Sequence, residues 1–229
     1  MSALLVGPVT HGSSLGYDNH MDTKIMETIN AQRTKKGFLT IEELLKLCDR
    51  GSLVLDPFST LISATCTIGQ GNIFYPPLVI ESVNNGTLEI GEGNIFYPGC
   101  LFIVDQGELV IGNTNQFGDG GCTIKANRPD ALVHVGNKGR YVNAPTIVGK
   151  TTLGDGSQVI GAITVQDCVL EDGLDFAAQN PDEQGAVLKG YGLARGLTIG
   201  KGQVLNGQGK FEQKDVEQQS AYHSKPQKP

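Results

Sequence analysis

His134 is the residue of this 229-residue chain whose type and position most favour chemistry. It is the only one of the four histidines between residues 53 and 206, and it directly precedes Val135, an aliphatic residue that a repeat described below points inward. Side chains alternate between the two faces of a β-strand, so we expect His134 to face outward. A neutral imidazole between two subunits could then accept a proton from a substrate hydroxyl or amine. The alternative is an ordinary surface or interface histidine.

Charged side chains that could complete such a site lie close to His134 in the sequence. The basic ones are Lys125, Arg128, Lys138 and Arg140. Guanidinium and ammonium groups can hold the phosphates of a nucleotide or of coenzyme A. Two carboxylates, Asp119 and Asp130, could orient the imidazole. The alternative is a solvated loop without a ligand, since charged residues are mostly exposed.

Composition and cysteine usage limit the other classes. The net charge of −6 gives no basic footprint for nucleic acid, and no apolar run reaches membrane-spanning length. The N-terminus lacks the pattern of a secretory signal. The cysteines are Cys48, Cys66, Cys100, Cys122 and Cys168, an odd number without C-x-x-C spacing. We therefore expect a cytoplasmic protein with reduced, mostly buried thiols, no metal site and no nucleic-acid or membrane partner.

A recurring phrase, aliphatic-Gly-x-Gly-Asn-x-apolar, indicates the fold. Its copies occupy residues 68–74, 90–96 and, with Thr at the second glycine, 111–117; looser copies begin at 135, 153 and 199. Such repeats are typical of a parallel β-helix built from hexapeptides. The aliphatic residues should form one buried column, comprising Ile68, Ile90, Ile111, Val135, Leu153 and Ile199. Asn72, Asn94 and Asn115 should stack as a structural ladder along one corner.

The spacing of the phrase also predicts where the coil departs from regularity. Successive copies start 22, 21, 24 and 18 residues apart, whereas a triangular turn takes roughly 18 residues. The surplus coincides with turn-forming residues at 84–86, 105–107 and 127–130, which we expect to be loops at one corner. The interval from 153 to 199 should hold a further turn and an excursion near 180–183.

Three segments follow from these patterns. Residues 1–52 should form an extended lead and two helices, one over 20–34 and one capped by Thr40 with Glu43 in a capping box. Residues 53–206 should form the β-helix, and residues 207–229 a polar tail that ends disordered. The helices should cover one end of the coil and the chain after 190 the other. Because the flat faces of such coils can associate, we expect a homotrimer.

Two stretches resemble known families. Residues 42–62, with Asp56-Pro57-x-x-Thr60, are similar to the junction in the bacterial glucosamine-phosphate acetyltransferase/uridyltransferase, where a linker helix enters a left-handed β-helix. Residues 68–81 are similar to the first turn of that domain. Residues 90–94, 111–122 and 187–195 resemble turns of the small pointed-end subunits of dynactin, which are non-catalytic left-handed β-helices. These resemblances imply an all-β fold, the left-handed parallel β-helix with hexapeptide repeats and an α-helical N-terminal cap.

Two functions follow from these resemblances. The first is a hexapeptide-repeat acyltransferase that moves an acyl group from a coenzyme A or carrier thioester to a hydroxyl or amine. In that hypothesis His134 is the general base, the four basic residues bind the donor, and the thioester is a co-substrate rather than a tightly bound cofactor. The alternative is a non-catalytic scaffold or assembly subunit of the dynactin kind.

The departures from each family separate the two hypotheses. The acetyltransferase family works through a histidine in an Asn-His step inside the coil, and here the only such step is Asn19-His20. The γ-class carbonic anhydrases, which share the fold, bind zinc through three histidines of adjacent turns, and the coil of one chain contains only His134. The Asp-Pro-x-x-Thr segment favours the acyltransferase, and the missing Asn-His step favours the scaffold.

Overall fold

The computed structural model describes residues 19–222. The predicted lead before residue 19 and the predicted disordered end of the tail after residue 222 lie outside this range. The helices are α1 (Asn19–Lys35) and α2 (Ile41–Leu45), with short 3-10 turns at Cys48–Arg50, Pro181–Glu183, Gln213–Asp215 and Gln219–Tyr222. Both predicted N-terminal helices are confirmed.

Strands make up most of the described chain. They are β1 (Leu53–Val54), β2 (Thr60–Ile62), β3 (Thr67–Ile68), β4 (Ile73–Phe74), β5 (Leu78–Val83), β6 (Thr87–Ile90), β7 (Ile95–Phe96), β8 (Cys100–Asp105), β9 (Glu108–Ile111), β10 (Gln116–Gly118), β11 (Cys122–Ala126), β12 (Leu132–Val135), β13 (Arg140–Val142), β14 (Thr146–Val148), β15 (Lys150–Leu153), β16 (Gln158–Ile160), β17 (Ile163–Gln166), β18 (Val169–Leu170), β19 (Val187–Arg195), β20 (Thr198–Ile199), β21 (Gln203–Lys210) and β22 (Glu217–Gln218).

The strands form a parallel β-helix with three faces. Up to β16, each strand pairs in parallel with the strand three positions later, so the chain returns to the same face once per turn. Face A holds β1, β4, β7, β10, β13 and β16; face B holds β2, β5, β8, β11, β14 and β17; face C holds β3, β6, β9, β12, β15, β18 and β20. The long strands β19 and β21 run along face A and continue onto face B. The predicted parallel β-helix is confirmed.

The predicted aliphatic column is present on the inner side of face C. Ile68, Ile90, Ile111, Val135, Leu153 and Ile199 stand in register, and all are buried. Leu170 completes the column between Leu153 and Ile199. The phrase did not reveal Leu170, because Glu171 replaces the glycine that follows the aliphatic residue in other turns.

A second column, of aromatic rings, fills the coil behind face A. Phe74, Phe96, Phe117 and Tyr141 stack with ring centroids 5.1, 5.3 and 5.2 Å apart. The rings are fully buried. The Tyr141 hydroxyl lies 3.0 Å from the Ser157 Oγ, so the one polar group of this column has a partner inside the coil. Aromatic stacking adds stabilisation beyond the area that the rings bury.

The repeated glycines belong to the corner that joins face C to face A, here called corner CA. A Cβ on Gly91 would lie 2.6 Å from the carbonyl oxygen of Gly112 in the next turn, so a larger residue cannot stack there. The second glycine of the phrase adopts a left-handed backbone, with φ of +65° at Gly93. Lys138 is the equivalent residue of its own turn and has φ of +56°, so it lies at corner CA.

The asparagine ladder at corner CA is confirmed. The Asn94 backbone N–H donates to Asn72 Oδ1 at 2.8 Å, and the Asn115 N–H donates to Asn94 Oδ1 at 2.9 Å. Each side-chain amide also donates to a glycine carbonyl, as Asn94 Nδ2 does to Gly112 at 3.0 Å. All three asparagines are fully buried. The ladder therefore satisfies backbone groups that the sharp corner would otherwise leave unpaired.

The surplus residues of the longer turns lie at the corner between faces B and C, here called corner BC. Segments 84–86, 105–107 and 127–130 each connect a face B strand to a face C strand, as predicted. The first two contact each other, because Asn84 Nδ2 donates to Asp105 Oδ1 at 2.9 Å. The excursion predicted near 180–183 is also present, as part of a segment from 171 to 186 between β18 and β19.

The N-terminal helices contact the first turn of the coil. Thr40 and Glu43 form the predicted capping box, and Leu44 packs into the core. Arg33 of α1 is buried and donates to the carbonyls of Leu39 at 2.7 Å, Pro57 at 3.2 Å and Thr60. Burial lowers the pKa of this guanidinium from its ordinary value. The arginine thus fixes α1 to the segment that leads into β2.

The chain closes the opposite end by folding back. The strand β21 continues to Lys210, beyond the boundary predicted at 206, and Phe211 then packs against the core. The strand β22 pairs antiparallel with β21. Gln219 is buried and donates through Nε2 to Gly185 O at 2.8 Å and to Gln203 O at 3.2 Å. The segment after 210 is therefore ordered against the coil as far as Tyr222.

Candidate functional site

His134 lies on β12, on the outer side of face C. Its flanking residues Val133 and Val135 are fully buried, while the imidazole is exposed to solvent. In register beside it stand Val110 of the preceding turn and Thr152 of the following turn. The predicted outward direction is confirmed. Within the described range the imidazole makes no hydrogen bond or ion pair, so no neighbouring group orients it, and its catalytic role stays a prediction.

The four basic residues proposed to bind the donor do not converge within one chain. Lys125 lies on β11 of face B, Arg128 at corner BC, Lys138 at corner CA and Arg140 on β13 of face A. The physical reason is that the coil changes direction after every short strand. Residues close together in sequence around His134 therefore point to different sides of the same turn.

The two carboxylates are also placed apart. Asp130 forms ion pairs with Arg128 at 3.7 Å and with Lys150 at 3.9 Å, all three largely exposed. Asp119, with φ of +52°, lies at the corner between faces A and B, which does not border face C. Within one chain, Asp119 is thus not placed to orient His134.

An apolar strip covers the outer side of face A in the first turns. Leu53, Ile73 and Ile95 stand in register along it, and Leu53 is 47% exposed. Tyr75 and Tyr97 form a second row beside them, with ring centroids 5.5 Å apart. These five residues, called the apolar strip below, are all partly exposed. Their outward direction is not evident from the sequence, because inward residues of the same strands are equally apolar.

A groove occupies the outer side of the same face in the last turns. Its volume is about 280 Å³, and it is bordered by the 171–186 segment and by the chain that ends at Tyr222. Arg140 lines it, and the guanidinium lies 5.5 Å from the centre of the Phe176 ring. Gln158 and Lys189, which the sequence did not single out, line it too. Of the predicted site residues, only Arg140 lines this groove.

The thiols do not form part of a described site. Cys100 and Cys122 stand in register on adjacent strands of face B. Both are buried, as predicted for most of the thiols. Burial raises the pKa of the Cys100 thiol to about 12, and it raises the pKa of Cys122 well above its ordinary value. A thiol without appreciable thiolate is a poor nucleophile and a poor metal ligand. These two cysteines act as packing residues.

The described residues offer neither a metal centre nor a membrane-spanning helix. Between residues 19 and 222, no three His, Cys, Asp or Glu side chains are grouped so that they could hold a metal ion. None of the helices in the described part of the chain combines the length and apolar character needed to cross a membrane.

Comparison with known proteins does not place this chain in a family. No model of a known protein family matches the chain, and a search among curated proteins likewise finds no match. The similarities to the acetyltransferase junction and to the dynactin subunits therefore remain short resemblances of sequence.

Proposed function

We propose that this protein is an assembly subunit that joins further copies of itself, as a homotrimer, through the apolar strip of face A. The observation that carries the proposal is the strip itself: Leu53, Ile73 and Ile95 form one partly exposed row over the first turns, and Tyr75 and Tyr97 form a second. Contiguous exposed apolar surface on a folded protein marks a site of association. Tyrosine is also enriched in protein interfaces.

The later turns of face A, which the chain covers itself, support this function. The row that begins with Leu53 continues through Gln116, Arg140 and Gln158 to Val187 and Val204. Val187 and Val204 are only 6% and 5% exposed, because they lie beneath the groove walls. Where the row is apolar at the C-terminal end, the chain covers it with its own segments. The apolar strip has no such cover among the described residues, which leaves it for another molecule.

Sedimentation velocity on charged variants tests the proposal. The wild type should sediment as about three chains per particle at micromolar concentration. Ile95→Lys should shift the protein towards monomer, since it places a charge in the interface without touching the core. The matched control is Leu132→Lys, which changes an exposed apolar residue on face C and should leave the assembly unchanged. A wild type that stays monomeric up to tens of micromolar, or an Ile95→Lys variant that assembles normally, would contradict the proposal.

Acyl transfer is a second candidate, which one observation favours. His134 is solvent-exposed and free of hydrogen bonds to the described residues, so its imidazole is available to a substrate bound in a cleft between subunits. In this hypothesis Lys138 and the other basic residues would contribute to donor binding from neighbouring chains. The donor would be a thioester of coenzyme A or of a carrier, and the acceptor a small hydroxyl or amine compound.

Thiol release from acetyl-CoA in the presence of candidate acceptors tests this second function. If His134 is the base, His134→Ala should lower turnover by roughly 10²–10⁴-fold. Its assembly and melting temperature should stay unchanged, because the side chain is outside the core. Wild-type turnover in His134→Ala would remove the histidine from the mechanism. A thermal shift caused by acetyl-CoA would show independently that the donor binds, since a ligand of the folded state raises its stability.

A further inference from the structure

We propose that the groove on the last turns of face A binds a small amphipathic anion, a carboxylate or phosphate attached to a short apolar body. The floor of the groove is the outer side of β13, β16, β19 and β21. Its walls are the 171–186 segment and the chain leading to Tyr222. The inference does not depend on the assembly proposed above, since the apolar strip lies on other turns.

Two cations give the groove its charge. Arg140 is half-buried at one side, and Lys189 is exposed two strands away. Neither takes part in any of the ion pairs formed within residues 19–222. The Phe176 ring, 5.5 Å from the Arg140 guanidinium, restrains the guanidinium by a cation–π contact. A restrained guanidinium can donate two parallel hydrogen bonds to a carboxylate or a phosphate.

Gln158 adds an uncharged polar group to the groove beside the cations. Its residue is 94% buried, since only 6% of its surface is exposed, and it lines the groove between Arg140 and Val187. Its backbone N–H donates to Ala186 O at 2.9 Å, but its side-chain amide makes no hydrogen bond to the described chain. No buried side-chain nitrogen or oxygen of residues 19–222 lacks a partner, so the amide atoms of Gln158 reach the solvent of the groove. A ligand in the groove can bond to this amide in place of water.

The other two glutamines of the groove show the contrast. Gln184 donates through Nε2 to Ala178 O at 2.9 Å and to Phe176 O at 3.2 Å, which holds the wall segment in shape. The Nε2 of Gln219 is likewise occupied by two backbone carbonyls. These amides build the walls. The amide of Gln158 has no such structural task.

The remaining surface and the volume define the body of the ligand. Ile160, Val187 and Val204 line the groove beside the cations, so an apolar chain can lie along them. A volume of about 280 Å³ is near the lower end of the range for small-molecule sites, roughly 300–1,000 Å³. The groove therefore fits a short-chain acid or a small phosphate ester rather than a whole nucleotide.

Isothermal titration with three probes of one length tests the inference. Hexanoate and hexyl phosphate represent the two anions, and hexanamide is the uncharged counterpart. One of the anions should bind with a stoichiometry of one per chain, and hexanamide at least about tenfold more weakly, because it lacks the charge that Arg140 and Lys189 attract. The stronger of the two anions identifies the source as a carboxylic acid or a phosphate ester.

Variants locate the binding. Arg140→Gln and Gln158→Leu should each weaken the preferred anion by about tenfold or more. Lys189→Gln, at an exposed position that is not needed for folding, should weaken it as well. The matched control is Arg195→Gln, an exposed cation on face B, which should bind normally. Absence of saturable binding of both anions up to about 10 mM, or equal affinity of wild type and Lys189→Gln, would overturn the proposal.

Discussion

Replacing Asn94 by alanine tests how much the corner ladder contributes to stability. The Asn94 Oδ1 accepts from the Asn115 backbone N–H at 2.9 Å and from Asn115 Nδ2 at 3.0 Å, and Asn94 Nδ2 donates to Gly112 O at 3.0 Å. Alanine removes all three contacts at a site with no solvent exposure. The Asn115 amide group keeps its bond to Gly136 O at 2.8 Å. Two backbone groups, the N–H of Asn115 and the carbonyl of Gly112, lose their partners.

The expected cost follows from those two groups. An unsatisfied buried donor or acceptor costs about 1–3 kcal/mol, so Asn94→Ala should lower the free energy of unfolding by about 2–6 kcal/mol. Urea unfolding followed by circular dichroism measures this loss. Because solenoids can unfold in parts, hydrogen exchange should be followed at the same time. The amide of Asn115 should exchange at least about tenfold faster than in the wild type, since its acceptor is gone.

Asn127→Ala is the control for this experiment. Asn127 is exposed at corner BC, and its side chain makes no hydrogen bond to the described chain, so the change should stay within about 0.5 kcal/mol. If Asn94→Ala also lowers the free energy of unfolding by less than about 0.5 kcal/mol and the Asn115 amide stays protected, the ladder does not stabilise corner CA. The backbone groups would then have to find other partners.

Three further predictions concern the core, the N-terminal helices and the thiols. Ile111→Ala should cost about 2–5 kcal/mol in urea unfolding, whereas Val110→Ala, its outward neighbour, should cost much less; equal losses would contradict the inward column. Arg33→Met should leave three carbonyls without this donor and cost about 3 kcal/mol or more, at about 1–3 kcal/mol for each carbonyl. It should also expose α1 to trypsin, and unchanged proteolysis would refute this role. The exposed Cys48 should react with a thiol reagent at pH 8 in the native protein, whereas Cys100, with a pKa of about 12, should react only after unfolding; rapid native labelling of Cys100 would contradict its burial.

The inner architecture could be predicted because the residue types that build it are restricted. In most turns, the aliphatic residue is followed by a position where any Cβ would overlap the next turn, so glycine is required there. This pairing of residue types leaves few alternative structures, and the register of Ile90 and Ile111 could be predicted from it. Leu170 was missed because Glu171 breaks the phrase. A second ladder at corner CA was missed as well: the Asn113 backbone N–H donates to Asn137 Oδ1 at 2.8 Å, and the Asn137 backbone N–H donates to Asp155 Oδ1 at 2.7 Å. These three residues are exposed or only half-buried and have the residue types of an ordinary loop.

The outer surface was harder to predict, because its features come from different turns. The groove requires the 171–186 segment and the chain near Tyr222 to fold onto face A, and no short pattern specifies such a contact. Grouping Lys125 with Arg140 assumed that sequence proximity gives spatial proximity. In this coil a few residues suffice to carry the chain around a corner, so the relevant neighbours lie about one turn away in sequence.

The concentration of surplus residues at corner BC has a consequence for how this protein can change. Loops of different length leave the chain from a face B strand and return to a face C strand in the same register, so added residues do not displace any column. Insertions and deletions accumulated over evolution can be absorbed there while the number of turns stays constant. The same corner is a suitable place to graft a peptide epitope or a fluorescent reporter, because the graft would project from one edge and leave all three faces unobstructed.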